Sequence, residues 1–305
     1  MTEERSVHFQ HRPYDGTSQP FTVGLKPVAE KEWLEADTFL KPHLAEKARL
    51  FAARPDDVFR AEPDTEAAQA EVLGLVVEHL RQFHGSTHDV SSISVSIPAA
   101  GRWIDCTDLP ALKTASLMVQ EDLVLMRPGQ EGYRLVAASL CFPSSWSLGQ
   151  KFGLSMADIH ETVPDFNGAR MGQMVARLFD NLKPGQILCR FNWSAYPDDR
   201  LHHPGAHHIE VEATGQVLAS LFLRVERQTL RRLSGSGDIL FTIKIHHDPM
   251  AALEGQTDSS DVASGLSRQL LALSSEQLRY KGLHTSRDTL VAALHEVSER
   301  LRHSD

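Results

Sequence analysis

The middle of the chain, from about residue 90 to about residue 250, contains segments whose apolar residues either alternate with polar ones or form short runs, and both patterns predict β-strands. SISVSIP alternates, and the other predicted strands read MVQEDLVLM, RLVAASLCF, ILCRFNWS, ASLFLRVERQTLRRL and DILFTIKIH. Short turns, RPGQEG and GSGD, connect the second strand to the third and the fifth to the sixth. Two antiparallel hairpins are therefore expected within a sheet.

On either side of this region, and in places within it, apolar residues recur at helical spacing. Helices are predicted over residues 30–53, 65–83, 108–115, 148–152, 156–160, 171–182, 262–273, 275–280 and 288–301. The predicted fold class is α+β, with a mostly antiparallel sheet core at 90–250 and helices before it (31–85), within it and after it (260–302). Residues 1–30, interrupted by Pro and Gly, are predicted to be an irregular lead-in to a single domain at 31–305.

Composition excludes several classes of protein. The net charge of -9 argues against nonspecific nucleic-acid binding, which needs a basic surface. No apolar run approaches the roughly 20 residues that span a bilayer, and the N-terminus MTEERSVHFQ lacks the apolar core of a secretory signal. The three cysteines are widely spaced and do not suggest a disulfide framework. A cytoplasmic protein without membrane or nucleic-acid partners is therefore expected.

The stretch from Tyr133 to His160 ends in a histidine that is a candidate metal ligand. Pro143 ends the strand, serines follow around Trp146, and two short helical turns lead to His160. A neutral imidazole binds iron, zinc or copper and is the common axial ligand of haem, which needs only one protein ligand of this kind. The alternative is a histidine that caps the helix or packs locally.

An arginine row lies on the long fifth strand and comprises Arg224, Arg227, Arg231 and Arg232. Arg227 and Arg231 share a face because they are four residues apart on a strand. Arginines on a largely apolar strand need an anionic partner, and a pair of carboxylates such as haem propionates would bind them in bidentate fashion. The alternatives are a solvated strand face or internal pairing with Glu226, Glu121 or Asp122.

Two further groups of polar residues could support chemistry. The segment HHPGAHH, residues 202–208, could bind a transition metal together with His246 and His247, although a surface loop is the alternative. The adjacent carboxylates Glu121 and Asp122 could act as acid and base, although charges at a strand edge are also common. The chain has no P-loop, HExxH or GxGxxG motif, so a dinucleotide-binding sheet is not expected.

Five segments resemble one known family. They read VQEDLVLMRPG, RLVAASLCFPSSWSLGQKFG, IHETVP, CRFNWS and LRVERQTLRRLSGSGDILFTIK. They are similar to the domain-of-unknown-function family 3445, which includes the haem subunit of haem-dependent oxidative N-demethylase (dimethylamine monooxygenase), and the similarity extends over roughly residues 20–300. The resemblance implies haem bound by a PAS-like antiparallel sheet. It also implies O2-dependent removal of a methyl group from a small secondary amine, with release of formaldehyde.

The resemblance implies roles for particular residues. His160 would be the axial ligand of the haem iron, and Arg227 and Arg231 would contact the propionates. Phe142, Trp146 and Trp193 would line the haem or substrate pocket, unless they are ordinary core aromatics. Glu121 and Asp122 would hold the ammonium group of the substrate.

A monooxygenase of this kind also needs a supply of electrons. A [2Fe–2S] cluster takes four thiolates, which three scattered cysteines cannot provide, and no flavin motif is evident. Separate flavin or iron–sulfur reductase subunits are therefore expected as partners. The alternative function is a non-catalytic PAS-like sensor that binds haem or another small molecule, because fold alone does not fix function.

Overall fold

The computed structural model describes residues 9–167, 170–205, 207–212 and 216–302. Its strands are β1 Lys26–Pro27, β2 Phe59–Ala61, β3 Asp89–Val90, β4 Ser94–Ile97, β5 Arg102–Asp105, β6 Asp122–Gly129, β7 Gly132–Ser139, β8 Ile187–Tyr196, β9 Phe222–Arg232 and β10 Ile239–Pro249. Its α-helices are α1 Leu40–Ala53, α2 Pro55–Val58, α3 Glu66–Phe83, α4 Ala111–Ser116, α5 Leu148–Lys151, α6 Met156–Ile159, α7 Arg170–Asn181, α8 Ser259–Ala272, α9 Ser275–Tyr280 and α10 Arg287–Arg302. Short 3-10 helices cover Glu30–Glu32, Pro98–Ala100, Val217–Ser220 and Met250–Gly255.

Seven strands form the main sheet in the order β1-β8-β9-β10-β6-β7-β2, and β3, β4 and β5 form a small second sheet. Neighbouring strands of both sheets are antiparallel. The α+β prediction is confirmed, and so are the β6–β7 and β9–β10 hairpins. The segment SISVSIP is also a strand, β4, but it belongs to the small sheet.

One predicted helix begins later than expected. Residues 30–53 were predicted to be helical, but α1 begins only at Leu40, after the 3-10 turn at Glu30–Glu32. Side chains bind the backbone of the segment between them: Glu35 N–H donates to Glu121 Oε1 at 2.9 Å, and Asp37 N–H donates to Gln120 Oε1 at 3.0 Å. These bonds replace the helical hydrogen bonds that the spacing of apolar residues predicted.

The two faces of the main sheet pack against different partners, because side chains alternate along each strand. One face, called the cavity face, presents Glu226, Gln228 and Leu230 of β9. The other, called the helical face, presents Arg227 and Arg231, which pair with residues 30–35.

Two separate apolar cores cover the helical face. One joins α3 and α4 to Leu123, Leu125 and Leu240 of the sheet. The other joins α8, α9 and α10 to Leu223 and Val225. A third core, on the cavity face, joins α5 and α7 to the sheet. Within the described part of the chain, no helix is both long enough and apolar enough to cross a membrane.

An irregular segment at the start of the described chain, residues 9–28, is called here the N-terminal strap. Phe9 and Tyr14 are buried in the core formed by α8–α10, and Gln269 of α8 donates to the carbonyl of Pro13 at 2.9 Å. The strap ends in β1, which pairs with β8 at the edge of the main sheet. Residues 1–30 were predicted to be an irregular lead-in, and the described part of this segment is tied along its length to the C-terminal helices and the sheet.

Candidate functional site

A cavity of about 1800 Å³ lies on the cavity face of the main sheet. Its floor includes Val124, Met126, Leu135, Leu230 and Phe241, and its walls come from three other parts of the chain. These parts are the loop and helices around residues 156–179, the N-terminal strap, and the residues at the end of α9. The volume exceeds the roughly 300–1,000 Å³ of common small-molecule sites, so the cavity can admit a large planar cofactor together with a small substrate.

His160 faces this cavity from the end of α6. Ser155 caps the helix by accepting a hydrogen bond from Asp158 N–H at 3.2 Å, so α6 is a single short turn that ends at the histidine. The imidazole stacks on Phe166, with ring centroids 4.2 Å apart and an angle of 15° between the planes. The structure thus places His160 at the end of a short helix, as the sequence predicted.

The ring nitrogens of His160 have different environments. Nδ1 donates to the Met156 carbonyl at 2.9 Å, whereas no described residue bonds Nε2, which faces the cavity. Burial, together with the positive charges of Arg190 and Lys151, lowers the pKa of His160 to about 4. The imidazole is therefore neutral at pH 7, with its lone pair on Nε2, as in histidines that bind a metal through one nitrogen and a backbone carbonyl through the other.

Arg190 of β8 supplies a cation to the same cavity. Its Nη2 donates to the Thr22 carbonyl of the strap at 3.2 Å, but its Nε is buried without a partner among the described residues. No described carboxylate comes within 4.0 Å of its guanidinium, and burial lowers its pKa, although arginine stays charged at pH 7. The prediction from sequence missed this residue. A signal was present, since Arg190, Asn192 and Ser194 give CRFNWS one polar face.

Further charged groups lie near Arg190. Glu226 of β9 accepts a hydrogen bond from Gln228 Nε2 at 2.6 Å and is half-buried. Lys281, just after α9, donates to the Trp193 carbonyl and to Asn192 Oδ1 at 3.4 Å. Burial lowers the pKa of Lys281 to about 8, so it is mostly protonated at pH 7. Two cations and one carboxylate therefore line this part of the cavity, which leaves it with a net positive charge.

The three predicted pocket aromatics have different positions. Trp146 lines the cavity. Trp193 borders it, but its indole lies in the core of the helical face with Val225, and its Nε1 donates to Gln269 Oε1 of α8 at 2.8 Å. Phe142 does not line the cavity: it is buried against the ring of His43, 5.6 Å away between centroids, and against Lys47. The cause is that Asp122 binds the Phe142 N–H and turns the backbone inward.

Arg227 and Arg231 share a face, as predicted, but that face is the helical one and not the one with His160. Arg227 Nε pairs with Glu35 Oε1 at 3.0 Å, and Arg231 pairs with Glu30 at 2.9 Å and lies over the ring of Trp33. The structure therefore gives both arginines protein partners. Arg227 also borders the cavity that His160 lines, whereas Arg231 does not. The internal pairing weighed from the sequence is what occurs, with acids from the segment before α1.

Arg224, the remaining inward member of the row, binds no carboxylate within the described chain. It is 1% exposed and donates to the Phe142 carbonyl at 2.9 Å, to Ser144 Oγ at 2.8 Å and to the Leu201 carbonyl at 3.0 Å. Its role is to join two loops to β9, because loop carbonyls satisfy most of its donors.

Glu121 and Asp122 are fully buried outside the cavity. Asp122 accepts the backbone N–H groups of Cys141 and Phe142 at 2.8 and 2.7 Å, and Lys47 Nζ lies 3.9 Å away. Glu121 accepts the backbone N–H of Glu35. Both carboxylates hold backbone segments together, so the structure does not bring the predicted catalytic pair to His160.

The histidines of residues 202–208 point in different directions. His202 Nδ1 donates to the Cys141 carbonyl at 2.8 Å, and His203 Nε2 pairs with Asp198 at 2.9 Å. His208 instead lies at the cavity, 3.3 Å from the hydroxyl of Tyr196. Among the residues that the structure describes, these histidines do not form a shared metal site; His246 belongs to a different cluster.

Together, the donor groups of the cavity fit a haem. His160 offers one free imidazole nitrogen, Arg190 offers a buried nitrogen without a partner, and the floor is apolar. Comparison with protein families gives an independent result: a family model described as haem-dependent oxidative N-demethylase, alpha subunit-like, matches residues 24–291. The matched range includes both residues, all of the main sheet and the last five residues of the strap.

Proposed function

Because the chain belongs to the haem-dependent oxidative N-demethylase, alpha subunit-like, family, we propose that it binds haem in the cavity and removes a methyl group from a small secondary amine. The proposed reaction uses O2 and releases formaldehyde and a primary amine, with dimethylamine as the simplest substrate. The main sheet would serve as a PAS-like haem-binding sheet, in agreement with its antiparallel order and with the helices beside the cavity.

The observation that supports this proposal best is the state of His160. Its Nδ1–H is held by the Met156 carbonyl, which fixes the tautomer, while Nε2 faces the cavity without a partner among the described residues. Stacking on Phe166 fixes the orientation of the ring. We propose that Nε2 would ligate the haem iron, and that the haem would supply the O2 chemistry when bound.

Arg190 and Lys281 are the proposed partners of the haem propionates, in place of Arg227 and Arg231. Arg190 has a buried nitrogen that lacks a partner, and Lys281 is a second cation in the same wall. Two carboxylates would offset these two charges, so the cost of burying them falls when the propionates are present.

Glu226 is the proposed partner of the substrate ammonium, in place of Glu121 and Asp122. Once the two cations are neutralised, its carboxylate gives this part of the cavity a net negative charge, which suits a protonated alkylamine. Glu226 is held by Gln228, so it can orient the amine without a large loss of side-chain freedom. Trp146 and the strap would exclude bulk water from the same space.

Electrons for the reaction are proposed to come from a separate reductase subunit. The family description names an alpha subunit, which implies an oxygenase of several subunits. The chain has only three cysteines, all free, so it cannot hold a [2Fe–2S] cluster through four thiolates.

Absorption spectroscopy of the purified chain tests the ligand assignment. The wild-type protein reconstituted with haem is expected to show a Soret band, and His160→Ala is expected to shift this band and to lower haem retention at least about tenfold. His207→Ala is the matched control, because His207 also lines the cavity. A His160→Ala protein with the wild-type spectrum and haem content would contradict the assignment.

A measurement of product formation distinguishes the proposed enzyme from the alternative, a haem-binding sensor. With O2, a chemical reductant and dimethylamine, the haem-loaded protein is expected to release formaldehyde, and Glu226→Gln is expected to raise the KM for the amine about tenfold or more. A protein that binds haem but forms no product with any small alkylamine would instead support the sensor.

A further inference from the structure

Three potential metal ligands meet at the edge of the cavity, away from the cavity face of the sheet: His11, Glu35 and His246. His11 comes from the N-terminal strap, Glu35 from the segment before α1, and His246 from β10. Each residue offers one ligand atom, and these atoms all lie within 4.8 Å of one another. None of the three has a role in the proposed reaction.

The distances suit a single ion. His11 Nε2 lies 2.9 and 3.1 Å from the two carboxylate oxygens of Glu35, and His246 Nε2 lies 3.4 Å from Glu35 Oε2. Ligands bound about 2.1 Å from a metal are separated from one another by roughly 3.0–3.5 Å. The three side chains therefore need only small adjustments to surround an ion.

His246 provides a separate indication of a ligand. The residue is only 9% exposed, and its Nε2 is buried without a hydrogen bond to any described residue. Glu35 Oε2 lies 3.4 Å from that nitrogen, beyond the usual length of a hydrogen bond to a ring nitrogen. Buried ring nitrogens nearly always have a partner, and an ion at this point would provide one for His246 Nε2.

The surrounding charges limit the affinity but permit binding. Arg227 Nε is 3.0 Å from Glu35 Oε1, and Lys244 Nζ is 3.9 Å from Glu35 Oε2. Asp37 offsets Lys244, which it binds at 2.9 Å, and its carboxylate lies 3.9 Å from His246 Nδ1. The two nearest positive charges, on Arg227 and Lys244, therefore equal the two nearest negative charges, on Glu35 and Asp37. Because the site has no net negative charge, a divalent ion is expected to bind with micromolar rather than nanomolar affinity.

We propose that His11, Glu35 and His246 bind one divalent transition-metal ion. Two imidazoles and one carboxylate, without thiolate, favour ions such as Zn²⁺ or Fe²⁺ over Ca²⁺ or Mg²⁺, and water would complete the coordination. The ion would join the strap to β10 and to the segment before α1. Because later residues of the strap line the cavity, the ion would also hold that wall in place.

Titration of the full chain with Co²⁺ tests this site, since Co²⁺ substitutes for Zn²⁺ and absorbs visible light. After treatment with a chelator, the protein is expected to bind one Co²⁺ per chain with a Kd in the micromolar range, and to show d–d bands without a thiolate charge-transfer band. Saturating Zn²⁺ is expected to raise the Tm by several degrees. Absence of saturable binding would overturn the proposal.

Variants locate the ion. His11→Ala and His246→Ala are each expected to weaken Co²⁺ binding at least about thirtyfold, whereas His284→Ala, at an exposed histidine, is expected to leave it unchanged. His11 is partly exposed on an irregular segment, so its variant is expected to fold even if the His246 variant does not. Wild-type affinity in a folded His11→Ala protein would refute the site. His160→Ala is expected to bind Co²⁺ normally, so this result is independent of the haem proposal.

Discussion

At the scale of single residues, Arg190 shows how a ligand-binding site differs from the interior of a protein, where buried polar atoms have partners. A guanidinium whose Nε is buried without a partner, and which no carboxylate accompanies, is unfavourable in the protein alone, because the desolvation of that nitrogen is not offset. The same feature favours binding of an anion, since the cost of burial has already been incurred before the anion arrives. Stability without the cofactor and affinity for it should therefore respond to Arg190 in opposite directions.

Replacing Arg190 tests this opposition. Arg190→Met is expected to raise the stability of the haem-free protein by about 1 kcal/mol or more, and to weaken haem binding at least about tenfold. Thermal unfolding of the haem-free protein and haem titration measure the two effects. Arg279→Met, at an exposed arginine on the cavity rim, is expected to change both only slightly. If Arg190→Met neither stabilised the haem-free protein nor weakened haem binding, Arg190 would have no role in binding an anion.

Asp248 gives the protein a specific pH dependence. Burial raises the pKa of its carboxyl to about 7, and the hydroxyl of Tyr14 donates to it at 3.3 Å. In the unfolded chain this pKa is about 3.9. Between these values the folded protein holds a proton that the unfolded chain releases, so stability falls as pH rises from about 4, and the full loss is reached above pH 7.

Asp248→Asn is expected to remove this loss while it keeps the hydrogen bond from Tyr14. At pH 8 the variant should be more stable than the wild type by on the order of 2–4 kcal/mol, and near pH 4 the two should be equal. Urea denaturation at a series of pH values measures the difference. Asp261→Asn, at an exposed aspartate, serves as the control and should give parallel curves. A constant difference between Asp248→Asn and the wild type at all pH values would rule out titration as the cause.

At the scale of elements, the packing of the N-terminal strap on α8 depends on one glycine. A Cβ atom at Gly265 would lie 2.0 Å from the carbonyl oxygen of Asp15, a distance that forces the backbone of the strap to move. Polar contacts add to the apolar packing of Phe9 and Tyr14: Gln269 binds the carbonyls of Pro13 and Ser18, and Arg12 pairs with Asp258 at 2.6 Å. Gly265 therefore sets how closely the wall of the cavity approaches the C-terminal helices.

Gly265→Ala is expected to destabilise the protein by about 1–3 kcal/mol and to lower haem retention, because the displaced strap leaves the cavity open. Gly74→Ala is the matched control, since Gly74 also lies within a long helix but its added Cβ would meet no atom within 4 Å. That variant should be unchanged or more stable by up to about 1 kcal/mol. Equal unfolding curves for the two variants would show that the strap accommodates the methyl group.

The sequence predicted the elements better than it predicted their faces. Strands, hairpins and most helices follow from local periodicity, and the shared face of Arg227 and Arg231 follows from parity. Which face meets the cavity does not follow, because helices and loops cover both sides of β9 and its burial hardly alternates. The late start of α1 was also hidden, since Glu121 and Gln120, which bind its preceding segment, are about 85 residues away in the chain.

At the scale of the whole molecule, the cavity is assembled from distant parts of the chain. The place of His160 at a helix end was predicted from the sequence, because the end of a helix is a local signal. Glu226 was noted only as a possible partner for arginines, and Lys281 was not noted at all, because a single charged residue gives no sign of the cavity to which it contributes. The same holds for His11, Glu35 and His246, whose common position exists only after three segments have packed together.

The attachment of the strap to α8 has a consequence for biosynthesis. Residues 9–28 are synthesised before α8, on which they pack and which is translated about 240 residues later. During that interval the main sheet can begin to form while one side of its cavity lacks a wall. A large, flat cofactor could enter through this side during translation and be enclosed when the two ends of the chain meet, so the order of synthesis itself would favour loading before closure.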